Sequence, residues 1–308
     1  MNNAGQHLLS GALSGLASTI TLQPLDLLKT RLQQGDGRVS GSRHAGTVVS
    51  LARDIVRRDG VLGLWRGTTA TLLRNVPGVA FYFAGMNQVR TMLAGTTYFA
   101  AESERTRSGS VLPKLNKQGN LLAGAFTRVT VGALLNPFTV LKARYESNFY
   151  QYSSISSAVR SLVRAGPSEL FRGVVATSLR DAPYAGIFVL CYEQLKHEIS
   201  SLALPSSSAQ SGLVHGISAA TSGALATLAT HPLDVVKTKM QVRTEAKYQG
   251  LLRSILTIQR ERGLLGFFDG ALLRLSRKPL NSAIAWATYE AVLMLMRDPE
   301  PREGRDST

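Results

Sequence analysis

The sequence predicts an all-α membrane protein, in which six transmembrane helices form three parallel repeats with pseudo-threefold symmetry. Two observations support this fold class. A motif built around a proline and two bases returns three times along the 308 residues, which indicates an internal repeat. In addition, six segments are long enough to cross the hydrocarbon core of a bilayer, which takes about 20 residues of helix.

The repeated motif stands each time at the end of an apolar run. In its first copy, an uncharged run leads into Pro24, Asp26, Lys29 and Arg31. The other copies keep the spacing, with a threonine for the acid in the second: Pro137, Thr139, Lys142 and Arg144, then Pro232, Asp234, Lys237 and Lys239. Because proline removes a backbone donor and kinks its helix, we expect these three helices to converge at one end of a cavity.

The six predicted spans lie at about residues 7–33, 68–93, 119–145, 174–196, 212–241 and 271–296. A mean hydropathy of +0.03 is low for a protein with several spans. The low value is explained if the helices enclose a wet cavity, so that each helix has one lipid face and one polar face. A soluble helical protein is the weaker interpretation, because water-exposed helices of this length carry more charge on one face.

Short amphipathic helices are predicted between the spans of each repeat, at residues 47–58, 153–164 and 251–261. Basic residues flank all three, which places them on the negative-inside surface of the membrane. Polar loops at 96–117 and 200–211 are expected on the opposite face, and the charged tail from Arg297 is expected to be disordered. The repeats thus cover residues 1–95, 118–200 and 212–297 of one integrated transmembrane domain.

The composition narrows the classes of function. A net charge of +15 suggests an anionic membrane surface or anionic solutes as partners, and nucleic acid is disfavoured by the lack of a basic run or an aromatic RNA-binding motif. The histidines show no metal-ligand spacing, and no catalytic constellation or phosphate-binding glycine loop is present. We therefore expect no enzyme, no metal and no cofactor. Cys191 is expected to be a packing residue, and no cleavable presequence precedes Leu8.

The repeated residues resemble the signature of the mitochondrial carrier family (solute carrier family 25) over nearly the whole chain. In that signature the proline motif is followed by an acid and a glycine, then by an aromatic residue, a base and a glycine. The first repeat fits completely, through the stretch from Asp59 to Gly67. The second has Ala165 in place of the acid, and the third has Arg262 and Asp269 where the family has an acid and a base.

This resemblance implies a gate at the matrix end of a central cavity, where the acid of one repeat meets the base of another. Its residues are Asp26, Lys29, Gln33, Thr139, Lys142, Asp234, Lys237 and Gln241. The implied ion pairs are Asp26 with Lys142 and Asp234 with Lys29. The third contact, between Thr139 and Lys237, cannot be an ion pair. Gln33 and Gln241 occupy the family's brace positions, and Glu146 takes the third.

A second gate is implied at the cytoplasmic end of the even-numbered spans, from Asn87, Arg90, Glu193, Lys196 and Glu290. Its only remaining ion pair joins Glu290 to Arg90, while Asn87 can hydrogen-bond Lys196. Both gates are therefore weaker than a fully paired ring, which predicts low barriers and easy switching. Replacement of Thr139 by aspartate is expected to slow exchange.

Ionisable residues in the middle of a span mark a functional site by default. The candidates for substrate binding are Arg74, Arg128, Arg180, Asp181, Arg277 and Lys278. The resemblance places Arg74, Arg180 and Arg277 at the family's three substrate contact points. Because guanidinium binds a carboxylate and a carboxylate receives an ammonium, the set fits a zwitterionic amino acid.

Arg128 breaks the repeat rule, because the first and third repeats have Gly15 and Gly223 at that offset. Residues that break a local rule are where function is expected. The arginine also fills cavity space, which favours a small substrate such as glycine. With residues 137–147 it resembles the glycine-carrying branch of the family, which implies import of glycine into the matrix for haem biosynthesis.

The resemblance further implies a monomer in the mitochondrial inner membrane, with both termini facing the intermembrane space. Cardiolipin is the expected bound lipid, at Gly67 and Gly173, where helices begin; Asp269 disfavours the equivalent third position. Two alternatives remain: a carrier of another small amino acid or carboxylate, and a non-transporting membrane receptor or scaffold on the same fold.

Overall fold

A computed structural model of the protein describes residues 3–35, 44–96, 98, 115–150, 152, 154–202 and 208–296. Within these ranges the chain forms twelve α-helices and three 3₁₀ helices, and no β-strand. The predicted all-α class is confirmed. The charged tail from Arg297 and most of the loop predicted at 96–117 lie outside the described residues.

The α-helices are α1 (Asn3–Gln34), α2 (His44–Asp59), α3 (Thr68–Ala94), α4 (Lys117–Leu134), α5 (Asn136–Glu146), α6 (Ile155–Arg164), α7 (Pro167–Leu170), α8 (Val174–Leu202), α9 (Ser208–Ala229), α10 (His231–Val242), α11 (Leu251–Arg262) and α12 (Ala271–Met296). The 3₁₀ helices are Val61–Trp65, Ala246–Tyr248 and Leu264–Phe268. The three amphipathic segments form α2, α6 and α11, as predicted.

Two of the predicted spans are broken helices rather than single ones. The chain between α4 and α5 turns at Leu135, and the two axes are bent by 64°. A second break separates α9 from α10 at Thr230. Pro137 and Pro232 lie at the start of the second helix in each case, where a missing N–H costs nothing because it would be unpaired anyway. By contrast, α1 continues through Pro24 as one helix.

The prediction of a loop at residues 200–211 is wrong at both ends. Helix α8 runs to Leu202 and α9 begins at Ser208, so the segment between them is shorter than its serine content suggested. Serine is a weak helix former but is tolerated near helix ends, where its hydroxyl can bond to the backbone.

Hydropathy identifies two of the six predicted spans. The stretch Pro167–Ile199 is long and apolar enough to cross a membrane, and 11% of its most apolar window is buried inside the molecule. The bent pair Gln118–Leu134 and Asn136–Glu146 passes the same test together. The four other segments predicted as spans do not meet this criterion within the described residues.

The buried apolar side chains form three clusters, one around each copy of the motif. In each cluster, the two residues just before the first base of the motif pack against the amphipathic helix of the same repeat. The contacts are Leu27 and Leu28 with Ile55, Val140 and Leu141 with Leu162, and Val235 and Val236 with Ile258. The apolar face of each motif is therefore buried within its own repeat.

Candidate functional site

Two buried aspartates each hold one lysine and one arginine from other repeats. Asp26 lies 2.7 Å from Lys142 Nζ and 2.5 Å from Arg277 Nε. Asp234 is 2.6 Å from both Lys29 Nζ and Arg180 Nη1. The two lysine contacts predicted from the motif are present. The two arginine contacts were not predicted, because these arginines were expected to face the substrate.

The second repeat has a hydroxyl, that of Thr139, where the first and third repeats have these aspartates. Arg74 Nε donates to Thr139 Oγ1 at 3.1 Å, just as Arg180 and Arg277 reach the aspartates of the other repeats. Lys237 is the counterpart of Lys29 and Lys142. It is 7% exposed and makes no hydrogen bond or ion pair within the described part of the chain. We call these nine residues the polar network: Asp26, Lys29, Arg74, Thr139, Lys142, Arg180, Asp234, Lys237 and Arg277.

The three brace residues each pack against a glycine of another repeat. Glu146 lies against Gly67, Gln241 against Gly173 and Gln33 against Gly270. Gln33 Nε2 also donates to Asp234 Oδ2 at 3.2 Å, and Glu146 accepts a 2.7 Å hydrogen bond from Thr30. The braces therefore tie the polar network to the starts of α3, α8 and α12.

Sequence reasoning missed the residue before each motif proline. Gln23 donates to the carbonyl oxygen of Arg66 at 3.1 Å. Asn136 donates to the carbonyl of Arg172 at the same distance, and a ring nitrogen of His231 lies 3.0 Å from the carbonyl of Asp269. Each side chain locks its motif to the chain just before the second span of the same repeat. The available signal was a polar residue at this position in all three copies.

The departures from the signature are compensated locally. Arg144 pairs with Glu169, so an acid four residues beyond Ala165 supplies the charge that Ala165 lacks. In the third repeat the acid and base are exchanged, and Arg262 Nη1 lies 2.6 Å from Asp269 Oδ2. The departures therefore keep an ion pair at this level of each repeat.

A cavity of about 1080 Å³ opens above the polar network. Of the residues predicted to bind substrate, Arg74, Arg128 and Asp181 line it, together with Thr139 and Tyr82. The guanidinium carbon of Arg128 lies 5.9 Å from the centre of the Tyr82 ring, within the range of a cation–π contact. The cavity thus combines two guanidinium groups with one carboxylate.

The other predicted substrate residues are turned to different partners. Arg180 pairs with Asp234 of the polar network and also, at 2.7 Å, with the neighbouring Asp181 that lines the cavity. Arg277 pairs with Asp26. Lys278 hydrogen-bonds the Tyr184 hydroxyl and lies 4.1 Å from the centre of that ring. Position along the helix predicted that these side chains face inward, but not which carboxylate or ring would take them.

At the opposite end of the cavity, the predicted second gate is not formed. Glu290 is exposed, and within the described residues no ion pair joins it to Arg90. Asn87 and Lys196 are both exposed, and no hydrogen bond joins them. The predicted contacts of the second gate are therefore absent from this structure, in which the ion pairs of the matrix end are formed instead.

A smaller charged cluster lies on the surface beside α11. Burial and a hydrogen bond to Glu261 raise the pKa of Tyr248 to about 12. Burial alone would raise the pKa of Glu261, but hydrogen bonds from Lys247 and Tyr248 hold it below its ordinary value. This cluster fixes α11 to the end of α10.

The chain belongs to the mitochondrial carrier family. The profile of the family described as "Mitochondrial carrier protein" matches residues 1–97, 114–202 and 208–300. The match repeats three times, in step with the three copies of the motif.

Within this family the chain is similar to proteins named mitochondrial glycine transporter. The protein of Laccaria bicolor is 58% identical over 96% of this chain and 99% of its own length. That of Emericella nidulans is 44% identical over 94% of this chain and 87% of its own, and that of Neosartorya fischeri 42% over 94% and 89%.

Proposed function

We propose that the protein imports glycine into the mitochondrial matrix across the inner membrane, as supply for haem biosynthesis. The observation that carries this function is the pairing of near-full-length similarity to glycine transporters with a cavity lined by Arg128, Arg74 and Asp181. A carboxylate fits a guanidinium and an ammonium fits a carboxylate, so these groups can bind both ends of a small zwitterion.

The proposed architecture is six spans in three repeats around a pseudo-threefold axis. Its support is the cyclic order of contacts in the polar network. Residues of the first repeat reach the second, those of the second reach the third, and those of the third reach the first: Arg74 to Thr139, Arg180 to Asp234, and Arg277 to Asp26. One contact rule applied three times closes a ring only if the repeats are arranged around a common axis.

The proposed lipid-facing surface consists of large apolar side chains that no other part of the described chain covers. Leu190 and Trp286 are 65% and 64% exposed, and they stand on α8 and α12. Exposed apolar side chains of this size favour a lipid environment over water. Six spans would then put both termini on the same side, in the intermembrane space, and α2, α6 and α11 on the matrix surface.

Transport proceeds by alternating access in this proposal. The polar network closes the matrix end, and the separated residues near Arg90 and Glu290 leave the cytoplasmic end open. Opening toward the matrix requires the ion pairs of Asp26 and Asp234 to separate, while the second gate forms. Since both gates lack one or more ion pairs, the barriers to switching between the two states are expected to be low.

Cardiolipin is the proposed lipid at Gly67 and Gly173, where α3 and α8 begin. Helix N-termini favour phosphate, and no acidic side chain precedes these glycines, whereas Asp269 precedes Gly270. The functional unit is proposed to be a monomer, because one chain encloses the whole cavity.

The test is uptake by liposomes that contain the purified protein, with a panel of labelled substrates. We expect saturable uptake of glycine and little uptake of a bulky amino acid such as phenylalanine or of a dicarboxylate such as malate. Equal uptake of bulky amino acids would contradict the glycine assignment, and uptake of a carboxylate alone would replace the amino acid by that class.

A further inference from the structure

The polar network lacks one carboxylate, and two buried cations are left at the gap. In two of its three positions, a carboxylate lies between a lysine and an arginine, with all four distances between 2.5 and 2.7 Å. In the third position, Arg74 donates only to neutral oxygens, those of the Thr139 hydroxyl and the Asn75 side chain, and Lys237 has no ion-pair partner within the described residues.

No carboxylate of the polar network is available to fill this gap. Both oxygens of Asp234 are occupied, one by Lys29 and Gln33 and the other by Arg180. The oxygens of Asp26 are held by Lys142 and Arg277 in the same way. Lys237 is buried, and the cations Arg180 and Arg74 act on it more strongly than the carboxylates Asp234 and Asp181 do.

Buried cations without a counter-charge are costly, since the desolvation of each is not offset by an ion pair. The gap is also accessible, because Arg74 and Thr139 both line the cavity. A small anion that enters the cavity therefore meets the guanidinium of Arg74 beside Thr139. The buried ammonium of Lys237 is close enough to act electrostatically on the same guanidinium.

We propose that Thr139, Arg74 and Lys237 form a binding site for a small monoanion, which takes the place of the acid absent from the second repeat. The inference rests on the proposed function in one respect: in a glycine carrier, the occupant is the carboxylate of the substrate. A chloride ion shares the same chemistry. In either case the third position of the polar network is completed by a ligand rather than by the chain.

The test is the anion dependence of thermal unfolding, measured on the purified protein in detergent with a large sulfonate as the only other anion. Glycine, acetate and chloride are titrated separately into wild type, Lys237→Gln, Thr139→Asp and the uncharged control Thr139→Asn. We expect glycine and acetate to raise the unfolding midpoint of wild type and Thr139→Asn. The rise is lost in Thr139→Asp, whose own carboxylate fills the gap, and in Lys237→Gln.

The chloride series separates the two sources of the anion. A rise with glycine and acetate but not with chloride supports the substrate carboxylate as occupant. A rise with chloride alone supports the anion site but overturns the carboxylate as its occupant. An equal response in Thr139→Asp and Thr139→Asn, or no response to any anion in cooperatively unfolding wild type, overturns the site.

Glycine uptake into liposomes, run in parallel, keeps this inference apart from the proposed function. Because hydrogen bonds to charged groups contribute about 1.5–3 kcal/mol, Lys237→Gln is expected to raise the KM for glycine roughly ten- to hundred-fold. Wild type that takes up glycine but does not respond to anions contradicts the site and leaves transport standing. An anion response in protein that does not take up glycine supports the site and contradicts the proposed transport.

Discussion

Replacement of Gly67 by alanine tests how closely the first and second repeats are packed. Gly67 has φ +92°, and an added Cβ would lie 2.9 Å from Glu146 Cγ and 3.3 Å from Gln23 Nε2. Gly270 provides the control, since it also precedes a second span with a positive φ, +75°, and its added Cβ would make only ordinary 3.5 Å contacts to Gln33 and Lys29. The two substitutions therefore share a backbone cost and differ in the steric overlap.

The expected magnitudes follow from these two terms. The left-handed conformation costs a residue with a Cβ about 1–2 kcal/mol, which both variants lose. Overpacking against Glu146 and Gln23 adds about 1–3 kcal/mol at Gly67 alone. We expect Gly67→Ala to be destabilised by roughly 2–5 kcal/mol and Gly270→Ala by roughly 1–2 kcal/mol.

The unfolding midpoints of the purified variants in detergent show directly which variant is less stable. If Gly67→Ala and Gly270→Ala unfold at the same midpoint, the close approach of Glu146 to Gly67 is refuted.

Two further predictions concern the cavity wall and the surface cluster at α11. Tyr82→Leu removes the ring that faces Arg128, so we expect the KM for glycine to rise several-fold. Tyr82→Phe retains the ring and should leave the KM unchanged. Equal effects of both variants would show that the hydroxyl, not the ring, matters. Glu261→Gln should be less stable than wild type by up to about 1 kcal/mol at neutral pH, because the side chain is partly exposed. Since the folded state holds the pKa of Glu261 below its ordinary 4.5, this difference should vanish as the pH falls through that range. A difference that persists at acidic pH would contradict the assignment.

The repeat rule predicted those parts of the site that depend on equivalent positions. The pairing of Asp26 with Lys142 was implied by the resemblance to the carrier family, and this contact is present in the structure. The amphipathic helices were equally clear from their apolar spacing. These features follow from periodicity, which a single sequence displays.

The contacts that were not predicted depend on which of several nearby groups a side chain binds. Arg180 and Arg277 were expected to face the substrate, but a buried carboxylate lies within hydrogen-bonding distance and takes them. Glu169 replaces the acid missing at Ala165 from a position four residues later. The carbonyl contacts of Gln23, Asn136 and His231 involve backbone atoms, which leave no pattern in the sequence beyond a polar residue.

The most direct test of the account is uptake of labelled glycine into liposomes by wild type, Arg128→Ala, Asp181→Ala and the control Arg160→Ala. Arg128 and Asp181 line the cavity, whereas Arg160 is exposed on α6. We predict saturable uptake by wild type and Arg160→Ala, and its loss in the two cavity variants. Unchanged uptake by either cavity variant would contradict the site. No uptake by folded, cardiolipin-supplied wild type would contradict glycine as the substrate.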